Sequence, residues 1–301
     1  MKLEIKGVTK TFKAKTAVNN FSMVVETGQC VGLIGPNGAG KSTLIKIIAD
    51  ILYADKGEVL LDGKKISTMK KEIGYLPQYP DFFHWMTATE TLFFMGQLSG
   101  ITKQELTEEV PAILTKVGLI NEQHEKVQTF SGGMKQRLGI AQTLLHKPSF
   151  IVMDEPVSAL DPIGRREVLN LIQEIKHETT ILLSTHILSD AEEICERFVI
   201  MKKGEKIEDT TLDKLTNNHD AVVHLECASH NMLWVQIIEK LPYVKNVEVL
   251  GKKAKITLDN IQQNKDRLIR DAMDNNMDIV KFEVGSSETL EEIFLKMVVS
   301  V

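Results

Sequence analysis

At 301 residues the chain is longer than one ordinary domain and can hold two, and its 43% hydrophobic and 26% charged residues are those of a soluble globular protein. A net charge of -5 argues against a nucleic-acid-sized basic face, and the three cysteines (Cys30, Cys195, Cys227), far apart and without CxxC or metal spacing, read as reduced, buried thiols rather than a zinc site or disulfide framework. No apolar run approaches the ~18 residues needed to span a bilayer, and Met1 to Ile5 lacks a signal-peptide core, so the chain is expected to be cytosolic and to reach a membrane only through a partner.

Lys2 to Val8 alternates apolar and polar residues, the period of a half-exposed strand. Lys10 to Lys15 reads as a polar loop carrying one aromatic, Phe12, and Ala17 to Glu26 returns to strand-like alternation. These segments are expected to form an antiparallel edge before a buried strand, Cys30 to Ile34. By position alone Phe12 has two readings, packing on the sheet or stacking on a ring, and packing is favoured.

Gly35-Pro36-Asn37-Gly38-Ala39-Gly40-Lys41-Ser42-Thr43 follows, with helical spacing from Thr43 to Ala49. Strand, glycine loop and helix together aim backbone N–H groups and a helix N-terminus at an anion. In this Gly-x-x-x-x-Gly-Lys-Ser pattern Lys41 reaches the β- and γ-phosphates and Ser42 offers a hydroxyl to Mg²⁺. The pattern says nucleotide, without saying which one.

Gly57 to Gly63 reads as a strand and tight turn, and Ile73 to Gln78 as a short strand ending in proline and glutamine. Asp81 to Met86 places four large apolar residues in a loop. They either fold back onto the core or form an exposed docking patch. Thr87-Ala88-Thr89-Glu90 is a capping box, opening a stretch expected to be helical to about Lys126; helix resumes from Lys135 to His146. Ser149 to Glu155 is an apolar strand ending in two acids, Asp154 and Glu155. The first can hold Mg²⁺ through its water shell and the second can orient or deprotonate an attacking water. Arg165 to Glu178 is an amphipathic helix, Thr180 to His186 a strand ending in histidine, and Asp190 to Cys195 helical. Phe198 to Lys202 and Lys206-Ile207 form a hairpin about Lys203-Gly204. Strands alternating with helices predict a mainly parallel sheet.

From about Thr210 the pattern changes. Ala221 to Leu225, Asn231 to Leu241, Val244 to Leu250, Lys253 to Leu258, Asn260 to Asn275 and Asp278 to Val284 read strand, helix, strand, strand, helix, strand, the ferredoxin-like order. A last helix is expected over Glu288 to Val299. No phosphate loop or catalytic cluster appears here, which suits a regulatory or docking domain.

Phe130-Ser131-Gly132-Gly133-Met134 places a hydroxyl and free backbone N–H groups at a helix start, a second anion site. With the phosphate loop, Gln78, Asp154-Glu155, Ser158-Ala159-Leu160-Asp161 and His186, in this order over residues 1–210, the chain resembles the ATP-binding subunits of ABC transporters. The resemblance implies an α/β fold: a P-loop cassette over residues 1–210 with a mainly parallel sheet, an antiparallel edge and a helical subdomain at about 87–147. A small α+β domain over 211–301 follows. It implies that Gly35 to Thr43 bind ATP and that Ser42, Gln78 and Asp154 serve Mg²⁺. Glu155 would be the base, His186 would contact the γ-phosphate, and Gln78 would touch the attacking water and report to a membrane partner. Ser131, Gly132 and Gly133 would reach the partner's ATP in a head-to-tail homodimer, with Asp161 at the seam. Phe12 would stack on adenine, reversing the reading from position alone.

The signature departs from the usual pattern at Phe130 and Met134, where Leu and Gln are common, and Phe12 stands where Tyr is common. No catalytic position is lost. The tail Glu288 to Leu295 resembles that of prokaryotic ABC-2-type exporter ATPases, which implies a separate integral-membrane permease, a place on the cytoplasmic side of the membrane and no nucleic acid. Phe82, Phe83, Trp85 and Met86 would then help receive a coupling helix. A soluble ABC ATPase acting on DNA or ribosomes is the alternative. The coiled coil or zinc cysteines of the first kind and the second cassette of the other are not found. A non-hydrolysing module is disfavoured by the intact Lys41, Asp154, Glu155 and His186, and a GTPase by the lack of Asn-Lys-x-Asp.

Overall fold

A computed structural model of the chain describes residues 1–211, 214, 221–228, 232–286, 291 and 294. The chain divides into two compact units, Met1–Thr210 and Thr211–Val301.

The first unit holds two sheets. Strands β1 (Leu3–Phe12), β2 (Lys15–Val25), β4 (Lys56–Leu61) and β5 (Lys64–Lys65) form one of them, antiparallel, in the order β2-β1-β4-β5. The polar loop expected over Lys10 to Lys15 shrinks to Lys13 and Ala14. Phe12 pairs with Lys15, Thr11 with Thr16, and Lys13 turns the chain in the left-handed region at φ 53°. This sheet is separate from the main one rather than its edge.

The second sheet contains β3 (Cys30–Ile34), β6 (Ile73–Leu76), β7 (Phe150–Asp154), β8 (Thr180–Thr185), β9 (Arg197–Lys202) and β10 (Glu205–Thr211), in the order β10-β9-β3-β8-β7-β6. From β9 to β6 every pairing is parallel. Strands β3, β7 and β8 are buried along their whole length, as unbroken apolar runs in a sheet covered on both faces should be. Helix α1 (Lys41–Ile48) lies between the sheets. Its Leu44, Ile45 and Ile48 share one core with Leu3 and Phe21 of the first sheet and Val31, Phe150 and Val152 of the second. Each such side chain contributes about 1.5–3 kcal/mol on burial.

Helices α2 (Ala88–Leu98), α3 (Lys103–Lys116) and α4 (Gly132–Leu144) pack on one another through the buried Leu92, Leu106, Val110, Leu114 and Leu138. Thr87 and Glu90 close the expected capping box, and Thr102 and Glu105 form a second one. Helix does not continue to Lys126. It stops at Lys116, where Arg137 Nη1 donates to the carbonyls of Val117 (3.1 Å) and Gly118 (2.9 Å) and so satisfies groups a longer helix would have bonded itself. Helix α4 starts three residues before the expected Lys135. Helices α5 (Pro162–Ile175) and α6 (Leu188–Ile194) flank β8 in sequence, and α5 also starts three residues early. An N-cap side chain explains both starts, Ser131 for α4 and Asp161 for α5.

In the second unit, β11 (Ala221–Cys227), α7 (Met232–Glu239), β12 (Val244–Leu250), β13 (Lys253–Leu258), α8 (Ile261–Asp274) and β14 (Ile279–Ser286) follow in turn. The sheet is antiparallel in the order β12-β13-β11-β14, the split βαβ arrangement. Val223, Leu225, Trp234, Ile238, Ile256 and Leu268 form its core. The helix expected over Glu288 to Val299 lies outside the described residues, apart from Glu291 and Phe294.

Candidate active site at the strand ends

Parallel pairing aligns the C-terminal ends of β3, β7 and β8, where open α/β sheets bind ligands. Ile34 pairs with Thr185 and Asp154 with Ser184. A cleft of about 670 Å³ opens there, lined by Asn37 to Thr43, Phe12, Gln78, Glu155 and His186, with Lys15, Ala17, Tyr79 and Ser158 beside them.

The loop from Gly35 to Gly40 presses against its neighbours. A Cβ on Gly35 would fall 2.3 Å from the Met201 carbonyl oxygen, and one on Gly40, at φ +108°, would fall 2.1 Å from that of Ala17. No side chain caps α1, so its first turn keeps donors free for an anion. Lys41 is buried. Its Nζ donates to the Gly35 carbonyl at 2.7 Å and lies 3.5 Å from Glu155 Oε1. Burial pushes its ammonium pKa down, while Glu155 and Asp154 pull it back up.

Asp154 Oδ1 accepts from Ser42 Oγ at 3.0 Å and from Ser184 Oγ at 2.7 Å. Glu155 is the next residue and adopts φ 47°, which costs a non-glycine residue about 1–3 kcal/mol and persists only where the surroundings impose it. Its N–H donates to the Ser184 carbonyl at 3.1 Å and to Ser184 Oγ at 3.0 Å. Its carboxylate meets Gln78 Nε2 at 3.1 Å and His186 Nδ1 at 3.1 Å. Gln78 also donates to Ser158 Oγ at 3.1 Å. One mostly buried carboxylate thus faces an ammonium, an amide and an imidazole beside a backbone cradle. That set can hold a phosphate chain and take a proton from water next to it.

Phe12 is 47% exposed, so it lies on the cleft wall rather than in the core that its position alone suggested. Ser131, Gly132, Gly133 and Asp161 are not brought to this cleft within the chain. They meet one another instead. Ser131 Oγ accepts from Met134 N at 3.2 Å to cap α4, Asp161 Oδ1 accepts from Gly164 N at 2.7 Å to cap α5, and a Cβ on Gly133 would sit 3.4 Å from Gly164 Cα. Two helix N-termini therefore share one surface, with Ser131, Gly132 and Asp161 exposed. The 81–86 loop is divided between core and surface. Phe82 is buried, while Phe83 and Trp85 are exposed, their rings 5.0 Å apart.

Sequence reasoning missed Ser184, Lys15 and Tyr79. Ser184 alone had a legible signal, a hydroxyl directly after the apolar Ile181 to Leu183 and two residues before His186.

A family model described as ABC transporter matches residues 18–158. The uncharacterized ABC transporter ATP-binding protein YxlF of Bacillus subtilis (strain 168) is 41% identical, over 98% of this chain and 99% of its own length. The Nod factor export ATP-binding protein I of Rhizobium sp. (strain N33) is 32% identical, over 83% of this chain and 84% of its own length. The dimeric, post-hydrolysis ATP-binding cassette MJ0796 with ADP and Pi superposes with a TM-score of 0.64 at 26% identity, covering 70% of this chain and 98% of that one.

Proposed function

The chain belongs to the ATP-binding proteins of ABC transporters, and from this we propose that it powers export through a separate integral-membrane subunit by ATP-driven closure of a head-to-tail homodimer. It is an ATPase. One observation carries the dimer: the phosphate cradle and the Ser131 to Gly133 surface belong to the same chain but to different places on it. A second copy turned to face the first would bring each signature surface to the other's cradle, and MJ0796, a dimeric relative in fold, supports this.

In this reading the backbone from Gly35 to Thr43, with Lys41, holds the phosphates, and Phe12 stacks on the base. Ser42 and Asp154 offer hard oxygen donors beside the cradle, which suits Mg²⁺. Among the described residues no cluster of three His, Cys, Asp or Glu could cage a metal alone, as expected for an ion that shares its shell with phosphates and water. Bound there, the ion would neutralise charge on the phosphoryl oxygens. Glu155 accepts the proton of the attacking water, His186 contacts the γ-phosphate, and Gln78 holds the water and senses the partner. Residues 1–210 act as the cassette and 211–301 as an accessory domain.

Among the described residues no helix is long and apolar enough to cross a membrane. The reading therefore requires a partner that does, which would hold the chain on the cytoplasmic face. Export is supported by the relative named for Nod factor export. A tagged chain recovered from detergent-solubilised membranes of its host should bring a stoichiometric polytopic protein with it, identified by mass spectrometry. Recovery with ribosomes, DNA or nothing would remove the transport reading and leave the ATPase.

A further inference from the structure

We infer that the Ser184 hydroxyl is a positioning group that holds Asp154 and Glu155 in their working relation, an inference that rests on reading the cleft as an ATPase site. Ser184 is fully buried in β8, between Leu183 and Thr185 in a strand whose preceding residues Ile181 to Leu183 are all apolar. Burial alone would be served as well by alanine, since a hydroxyl withdrawn from water has to find partners. Both of its hydrogen-bonding capacities are used, and both on the two acids. Its Oγ donates to Asp154 Oδ1 at 2.7 Å and accepts from the Glu155 N–H at 3.0 Å. The directions are set by chemistry, because an ionised carboxylate can only accept and an amide N–H can only donate.

Two consequences follow from this geometry. Asp154 Oδ1 is held by Ser42 as well, at 3.0 Å. A cation on the phosphates would draw on a lone pair of the Ser42 oxygen and can shift that hydroxyl, whereas the bond from the buried Ser184 stays. Ser184 thus keeps the Asp154 carboxylate oriented while Ser42 takes on a second partner. The second consequence concerns Glu155. Its left-handed backbone, at φ 47°, directs the carboxylate toward Lys41, Gln78 and His186. Its N–H is anchored twice by the same residue, by the Ser184 carbonyl at 3.1 Å and by Oγ. Removing the hydroxyl leaves the ladder bond but frees the carboxylate of one acid from the peptide of the other. The two bonds of Ser184 Oγ go to the acids and not to the phosphate loop, which the hydroxyl reaches only through them, by way of Ser42 and Lys41.

The test uses the full chain with Ser184→Ala and three measurements. These are binding of a fluorescent ATP analogue in the presence of chelator, binding of Mn²⁺ to the protein–ATP complex by electron paramagnetic resonance, and phosphate release against ATP concentration. The expected pattern is a split. Analogue affinity and KM stay within about twofold, because the hydroxyl bonds to no residue of the cradle. Mn²⁺ affinity and kcat each fall about tenfold or more, as when partners that orient metal ligands are removed. If Mn²⁺ affinity and kcat stay within about twofold, the hydroxyl has no positioning role. If analogue binding collapses together with everything else, Ser184 serves packing, and the inference is overturned in that case too. Ser184→Cys, which keeps the shape with a weak donor, is read in the same way should the alanine variant fail to fold. Wild-type protein that releases no phosphate would overturn the ATPase reading itself, a different result from either of these.

Discussion

Glu155 is constrained from both its ends. Ser184 holds its backbone, and Gln78, His186 and Lys41 surround its carboxylate. Replacing the carboxylate by an amide keeps the shape and removes the ability to take a proton. Glu155→Gln is therefore expected to bind ATP and to lose hydrolysis on the order of a hundredfold or more, the cost of deleting one group aimed at developing charge. Single-turnover phosphate release checks the rate and sedimentation in ATP checks whether a closed dimer accumulates. Turnover near that of the wild type would remove Glu155 from the role of base.

Among the elements, the helical region depends on one close approach. A Cβ on Gly96 of α2 would lie 2.3 Å from Leu106 Cδ2 of α3 and 3.0 Å from Leu145 Cδ2. Both leucines are buried, so making way for that Cβ means repacking the core around them. Gly96→Ala gains helix propensity, about 1 kcal/mol, but is expected to lose more to overpacking, which costs about 1–3 kcal/mol, seen as a lower thermal midpoint. A midpoint equal to or above that of the wild type would show that the two helices can slide apart freely. The 81–86 loop divides its labour differently. Phe82 anchors it in the core, and Phe83 packs edge-on against Phe94 at 5.7 Å, leaving Trp85 65% exposed. An apolar ring held out by a fixed loop suits a partner. Trp85→Ala is expected to weaken co-purification with the proposed membrane subunit and to leave nucleotide binding unchanged. Undiminished complex formation would return the loop to a purely structural role.

For the molecule as a whole, the separation of cradle and signature surface makes the proposed dimer testable without the proposed membrane partner. Lys41→Ala spoils a cradle and Ser131→Arg spoils a signature surface. Each variant alone forms dimers with two defective sites. In a mixed dimer, two-fold symmetry puts both defects in one site and leaves the other intact. Equal mixing should therefore recover about a quarter of wild-type ATPase activity, since about half the dimers are mixed and half their sites are whole. No recovery on mixing, with both variants folded, would mean that the signature acts within its own chain or not at all. Among charged pairs, the link between α5 and α6 by Arg165 and Asp190 ties the segment after Asp161 to the one after His186, so the proposed dimer seam and the histidine share a support.

Local chemistry was legible in the sequence. Nine consecutive residues, Gly35 to Thr43, specify their own loop, because its shape depends on glycine backbone freedom and on the turn into α1. The capping box at Thr87 and the order of the second unit's elements were legible for the same reason, since short-range hydrogen bonds and hydrophobic period decide them. Contacts between distant residues were not. That β1 leaves the main sheet to pair with β4 depends on strands some fifty residues apart finding one register. The exposure of Phe12, the meeting of Gln78 with Glu155, and the bond from Ser184 to Asp154 depend in the same way on how sheets stack and align. A sequence names the groups a site can use. Only tertiary packing decides which of them stand three ångströms apart, because that distance is set by the whole core and not by any segment of it.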